Sequence, residues 1–262
     1  MMLERKSAVI YGGGGAIGGA VARVFAREGA RVFLAGRTPA RLDAVARDIA
    51  AAGGTVETAQ VDVFDQAAVE RHAETVATTA GGIDIALNAV SIMHDQGTPL
   101  AGLALEEFMR PIDGFLRTLF ITSKAVARHM GGTGVILTLS EPGAKLAIGG
   151  ILGHGVSAAG KEAFARLLAV ELAPAGIRVV NIRPHAVIDA PAAGSYTNDL
   201  FKPAAGGGAV QDFLESGLAP TTLLKRLPTL AEIAETAAFL ASDHAAAMTG
   251  AVVNLSAGAL VD

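Results

Sequence analysis

The chain has 262 residues, 51% of them hydrophobic, and a formal net charge of −4. That is enough apolar material for one sizeable core and too much for a disordered chain; the acidic balance, with no run of Lys or Arg, argues against a nucleic-acid surface. There is no cysteine, which removes disulfides, thiolate metal ligands and a cysteine nucleophile, and suits a reducing cytoplasm.

The first apolar run, SAVIY (7–11), is too short for a signal segment or a membrane span. It ends in four glycines, the pattern of a buried strand entering a tight turn. From Ile17 to Glu28 apolar residues recur at helical spacing, with Gly29 as a stop. ARVFLAG is a second strand. Residues 38–52 read as a helix, with Thr38 as cap and Pro39 at its first position. TVETAQVDV is a third strand, followed by a helix from Asp65 to Thr79, and IDIALNA is a fourth. A long helical region covers 105–130. GVILTLS is the fifth strand, 156–173 a helix, and GIRVVNIRP the sixth strand. Residues 189–227, rich in Ala, Gly and Pro, fit no long element. A helix over 229–241 and a last strand, AVVNLS, follow.

Strands alternate with helices throughout, and the strands are apolar, as in a parallel sheet covered on both faces. The expectation is one α/β domain over 1–262, a doubly wound parallel sheet of the Rossmann type, with an irregular insertion at 189–227. In such sheets ligands bind beyond the C-terminal strand ends, where every motif below falls.

YGGGGAIGGAVA sets glycines between a strand and a helix. Glycine allows the tight turn and close approach of phosphate oxygens, and the helix start offers free N–H groups. Gly12, Gly14, Gly15 and Ile17 are therefore candidate cofactor contacts. An acidic residue at the end of the second strand would suit the NAD ribose. Gly36 and Arg37 stand there instead, and the arginine fork suits a 2′-phosphate, which favours NADP(H). Asp62, with Val63 beside it, is in position to accept from the adenine amine. No metal site is expected.

The stretches GGGGAIG, AGRTPARL, VDV, DIALNA, VILTLS, LAPAGIRVVNIRP and FLASDHAAAMTGAVVNLSAG, with the helix containing Lys161, make the chain resemble the short-chain dehydrogenase/reductase superfamily over nearly all its length. The resemblance implies NAD(P)(H) binding, a small-molecule substrate, hydride transfer at a carbonyl, imine or activated alkene, and assembly as a homodimer or homotetramer. It also implies cofactor contacts at Asn88, Lys161, Pro184 and Val187, and a substrate lid at 189–227.

The catalytic tetrad departs from the family. Its asparagine falls on Phe115, its serine on Ser140 or Glu141, and its tyrosine on Ser157; Lys161 alone survives. An alkyl hydroxyl is far less acidic than a phenol, so Ser157 reads as a hydrogen-bond donor rather than an acid. The chain has two tyrosines. Tyr11 enters the glycine turn, and Tyr196 serves only if the lid folds it inward. His154 lies seven residues before Lys161, an offset resembling the Y-x6-K of enoyl-carrier-protein reductases, and histidine donates protons near neutral pH. His185 and His94 are further candidates. Glu141, if buried, would have a raised pKa and act as acid or base. Ser140 is expected to orient substrate.

Three readings stay open: an NADP(H)-dependent reductase of an activated carbonyl, enone or imine; a cyclase, isomerase or dehydratase on the same scaffold; and a catalytically silent NADP-binding protein.

Overall fold

The computed structural model describes residues 1–261. Seven strands form one parallel sheet: β1 (Ser7–Tyr11), β2 (Arg31–Gly36), β3 (Thr55–Gln60), β4 (Ile85–Asn88), β5 (Val135–Leu139), β6 (Arg178–Pro184) and β7 (Ala251–Leu255). Their spatial order is β3-β2-β1-β4-β5-β6-β7. The chain order reverses between β1 and β4, and a crevice opens there above the carboxyl ends of the strands. β1 is buried along its whole length, as its uninterrupted apolar sequence requires. β3 is the edge strand and mostly exposed, which its polar alternation, TVETAQ, accommodates. It ends at Gln60, three residues before the expected VDV end, because Val61 and Val63 turn inward to join the core.

Helices cover both faces. α1 (Ala16–Arg27), α2 (Pro39–Ala51) and the late helix lie on one side, where Val21, Phe25, Leu42 and Ala237 pack on the sheet. α3 (Gln66–Ala80), α4 (Leu105–Ala127) and α5 (Leu152–Leu172) cover the other, through Val69, Ile121 and Ala165. Thr38 takes the N-cap position of α2, but its hydroxyl makes no capping bond. Asp65 caps α3 by accepting from the Ala68 N–H.

α5 begins at Leu152, four residues before the expected start at 156. A Cβ on Gly153 would lie 2.7 Å from the Phe108 carbonyl oxygen, so this glycine lets α5 approach α4 closely. The shift brings His154 from a loop into the first turn of the helix.

The 189–227 region carries the short helices α6 (Thr197–Phe201) and α7 (Val210–Asp212), the latter continuing into a π-helical turn, Phe213–Leu218. It has its own small apolar cluster, in which Val210, Leu214, Ala219 and Leu227 are joined by Phe201 and Phe213. α8 (Leu230–Ala241) follows, opened by a capping box between Thr229 and Glu232. No helix among the described residues is long and apolar enough to cross a membrane.

Candidate active site

The glycine turn is built by close backbone contacts. Gly12 has φ +82°, and a Cβ there would meet the Ala89 carbonyl oxygen at 2.5 Å. Its N–H donates to the Ala35 oxygen at 2.8 Å. Gly18, one turn into α1, sits so near Gly12 that a Cβ would lie 2.3 Å from the Gly12 oxygen. Gly18 was not among the expected contacts, although it closes the GGGGAIG stretch. Gly14 backs onto Arg41 at the start of α2. Gly15 is the N-cap of α1, whose first turn holds no acidic residue. The cradle is thus narrow, backbone-lined and electropositive, and it fits a pyrophosphate. Tyr11 does not enter this turn. Its ring is buried in the core edge-on to His72, with its hydroxyl 3.4 Å from His72 Nδ1.

Arg37 follows β2 and is exposed. Among the described residues its guanidinium has no partner; only its carbonyl is used, accepting from Gln60 Nε2 at 3.2 Å. Asp62 is also exposed and turns back to accept from the Phe64 N–H at 3.1 Å. Val63 packs into the core.

A cavity of about 410 Å³ runs across the switch point. Gly15 and Ile17 line it, as do Phe201 and Phe213 of the 189–227 region. Asn88, Pro184 and Val187 line it, as do Ser140, Glu141, His154 and Lys161. Gly12, Gly14, Arg37, Asp62, Val63 and Ser157 are not among its walls. The Asn88 side chain is occupied, donating to Thr122 Oγ1 at 2.9 Å and accepting from the Val90 N–H at 3.2 Å.

Lys161 is almost fully buried. Its Nζ donates to Glu141 Oε1 at 2.6 Å and lies 3.9 Å from the centre of the Phe115 ring. Phe115, where the resemblance puts an asparagine, thus holds the cation on its π face. Glu141 departs from expectation. Burial pushes its carboxyl upward, but the charge and hydrogen bond of Lys161 outweigh it, so the pKa falls and the group is a carboxylate. Its Oε2 is buried without a hydrogen-bond partner.

The two serines are spent elsewhere. Ser157 is fully buried, and its hydroxyl donates to the His154 carbonyl within its own helix at 2.8 Å. It cannot reach a ligand in the cavity from there. The Ser140 hydroxyl lies 2.9 Å from Glu162 Oε1 and 2.6 Å from Asn181 Oδ1. Glu162 in turn accepts from Arg183 Nε at 2.6 Å. Ser140 therefore lines the cavity but spends its hydroxyl on a buried network rather than on substrate. Three network members adjoin cavity residues in the chain: Ser140 precedes Glu141, Glu162 follows Lys161, and Arg183 precedes Pro184. The sequence reading missed this network; its one visible signal is an acidic residue on the inner face of α5.

His154 stacks on His94, with ring centroids 4.8 Å apart and planes 5° from parallel. Burial lowers the pKa of His154 to about 4, against the pull of Glu141 and with the help of His94 and Lys161. At neutral pH it is therefore an uncharged imidazole and a poor acid, contrary to expectation. His94 is likewise lowered by burial. Its Nδ1 lies 2.7 Å from the Ile92 oxygen, and its Nε2 is 3.2 Å from Gln96 Nε2. These bonds fit a neutral ring with its proton on Nδ1. His185 lines the cavity, its Nδ1 accepting from the Ala186 N–H at 2.6 Å.

Tyr196 is the residue whose position sequence could not supply. The 189–227 region folds it into the cavity wall, edge-on to His94 with ring centroids 6.4 Å apart. Burial, then the charge of Glu141, raise its pKa.

Residues 14–259 match the family model described as enoyl-(acyl carrier protein) reductase. The chain is 30% identical to an uncharacterised oxidoreductase of Mycobacterium tuberculosis, covering 98% of this chain and 92% of that protein. It is 29% identical to the Escherichia coli 3-oxoacyl-[acyl-carrier-protein] reductase, covering 98% of both. Its fold matches the crystal structure of a dehydrogenase/reductase from Sinorhizobium meliloti with a TM-score of 0.85, 27% identity, and coverage of 99% and 96% of the two chains.

Proposed function

The chain belongs to the short-chain dehydrogenase/reductase superfamily, and on that premise we propose that it is an NADP(H)-dependent reductase of a small apolar molecule bearing an activated carbonyl, enone or imine. The observation that carries this reading is the single cavity running from Gly15 and Ile17 past Lys161 to Phe201 and Phe213. It joins a phosphate cradle to an apolar chamber, the arrangement that hydride transfer to an apolar substrate needs.

Gly12, Gly14 and Gly15 shape the cradle, and the N–H groups at the start of α1 take the pyrophosphate. Arg37, with a free guanidinium, binds the 2′-phosphate. Asp62, beside Val63, accepts from the adenine amine. Lys161 reaches the ribose, and Asn88, Pro184 and Val187 bound the nicotinamide end. When bound, the cofactor supplies the hydride. Phe115 and Glu141 hold and orient the Lys161 Nζ. An activated acceptor makes the smallest demand on an acid, because its developing oxyanion needs a donor contact more than prompt protonation. Self-association into a dimer or tetramer belongs to the same reading, supported by the exposed apolar residues Phe120, Leu167 and Val170 on α4 and α5.

The test is NADPH binding followed by fluorescence, then NADPH oxidation across a panel of enones, reactive ketones and imines. Failure to bind either nicotinamide nucleotide sinks the reading. The displaced serines and the missing α5 tyrosine favour a second reading, a non-redox reaction on this scaffold. Substrate conversion at constant NADPH would select it.

A further inference from the structure

We propose that Tyr196, carried by the lid and not by α5, delivers the proton to the carbonyl oxygen of a neutral, apolar ketone or enone. This rests on the reductase reading above.

The serines, the carboxylate and the stacked histidines around Lys161 are committed, and His185 uses its Nδ1 to accept from the Ala186 N–H. Ser157 bonds its own helix, and Ser140 bonds Glu162 and Asn181. Glu141 is ionised by Lys161 and has no proton to give. The proton on His94 Nδ1 faces the Ile92 oxygen. His154 is uncharged at neutral pH, its Nδ1 is shut off from solvent, and a Cβ on Gly143 would lie 2.9 Å from its Nε2. In the lid, the hydroxyls of Ser195 and Thr197 bond each other at 2.6 Å. Tyr196 is different. It lines the cavity, its hydroxyl has no protein partner among the described residues, and its ring is held edge-on against His94. It is the only phenol in the wall, and a phenol is a far stronger acid than an aliphatic hydroxyl. Burial and Glu141 keep it protonated, which suits a donor that gives up its proton only as negative charge appears on the substrate oxygen.

The wall also sets the substrate class. Lys161 and Glu141 are its only charged residues, and they neutralise each other. No free cation remains to hold a carboxylate or phosphate, and the chamber beyond is formed by Leu200, Phe201, Phe213 and Leu218.

In the step, the carbonyl carbon of a ketone, or the β-carbon of an enone, gains a C–H bond from the hydride of NADPH. The π electrons move to oxygen, and the Tyr196 O–H bond breaks to form the new O–H bond. The substrate is reduced and the nicotinamide oxidised; the phenolate regains a proton from water, and an enol product isomerises in solvent.

Two probes, cyclohexenone and an aryl trifluoromethyl ketone, test this with wild type and Tyr196→Phe. The variant keeps the ring on His94 and loses only the hydroxyl. The expected result is a kcat lower by about a hundredfold to ten-thousandfold, NADPH Kd within about twofold, an unchanged melting temperature, and loss of the wild-type solvent deuterium isotope effect. Equal turnover by both proteins overturns the proposal and leaves the reductase reading standing. Parallel loss of NADPH binding overturns it too, by assigning Tyr196 to cofactor binding. Absence of NADPH oxidation by the wild type with either probe overturns it; absence across the whole panel, imines included, ends the reductase reading as well.

Discussion

Lys161 Nζ donates to Glu141 Oε1 at 2.6 Å, with the lysine almost wholly enclosed and the carboxylate forming part of the cavity wall. The pair spans the turn after β5 and the third turn of α5. It replaces, with one ion pair, the hydroxyl chemistry that the family resemblance leads one to expect at this place.

Removing the carboxylate leaves an enclosed cation with only the Phe115 ring for company. Glu141→Gln is expected to lower stability by about 3 kcal/mol, the cost typical of breaking a buried pair from one side. Urea denaturation at neutral pH measures this. An unchanged midpoint would mean that the pair is solvated in solution.

The pH dependence of stability follows from the same cluster. The folded-state pKa of His154 is about 4, against an ordinary value of 6.5. Between these values the unfolded chain binds a proton that the native state refuses, so stability rises with pH across this window and is lost as pH falls through it. His154→Leu should flatten that part of the profile. Glu141, lowered in the native state, acts below it, through loss of its charge as pH falls past the folded-state value. A profile in the variant as steep as in wild type between about pH 4 and 6.5 would contradict the assignment.

The glycine turn predicts a different failure. A methyl at Gly18 would stand 2.3 Å from the Gly12 oxygen, so α1 must move away from the turn. Gly18→Ala is expected to weaken NADPH at least about tenfold, since displacing the helix N-terminus and its N–H groups costs more than 1.4 kcal/mol. Fluorescence titration reads this directly. Wild-type affinity would mean that the turn does not hold the phosphates.

Arg37 predicts selectivity. A charge-assisted hydrogen bond contributes about 1.5–3 kcal/mol, so Arg37→Ala should weaken NADPH by about tenfold to a hundredfold and leave NADH nearly unchanged. Equal losses for both nucleotides would assign Arg37 to the shared part of the cofactor or to folding.

Much of the fold was legible because buried parallel strands are written as short apolar runs closed by glycine, proline or polar turns; SAVIY and GVILTLS show this plainly. The start of α5 was not, because glycine serves two purposes. At Gly153 it permits contact with the Phe108 backbone, which local pattern cannot distinguish from a break. In the site, the glycine turn was readable from its place between a strand and a helix, and Lys161 from the family resemblance. The fates of Ser157 and Ser140 were not, since each depends on where a hydroxyl finds its acceptor in three dimensions. Glu141 was misjudged for the same reason: its pKa follows from a lysine twenty residues away. Tyr196 sits in an irregular segment with no periodicity to aim it, and only the folded chain brings it to His94.

The central claim is that this chain binds NADP(H) in the cavity beside Lys161 and uses it to reduce an apolar carbonyl, enone or imine. The most direct measurement is NADPH oxidation, followed by loss of dihydronicotinamide absorbance, with the substrate panel and purified wild-type protein. The account predicts substrate-dependent oxidation of NADPH, much weaker oxidation of NADH, and a product carrying the hydride from deuterated NADPH. Tight NADPH binding with no oxidation on any member of the panel, or no binding at all, would contradict it.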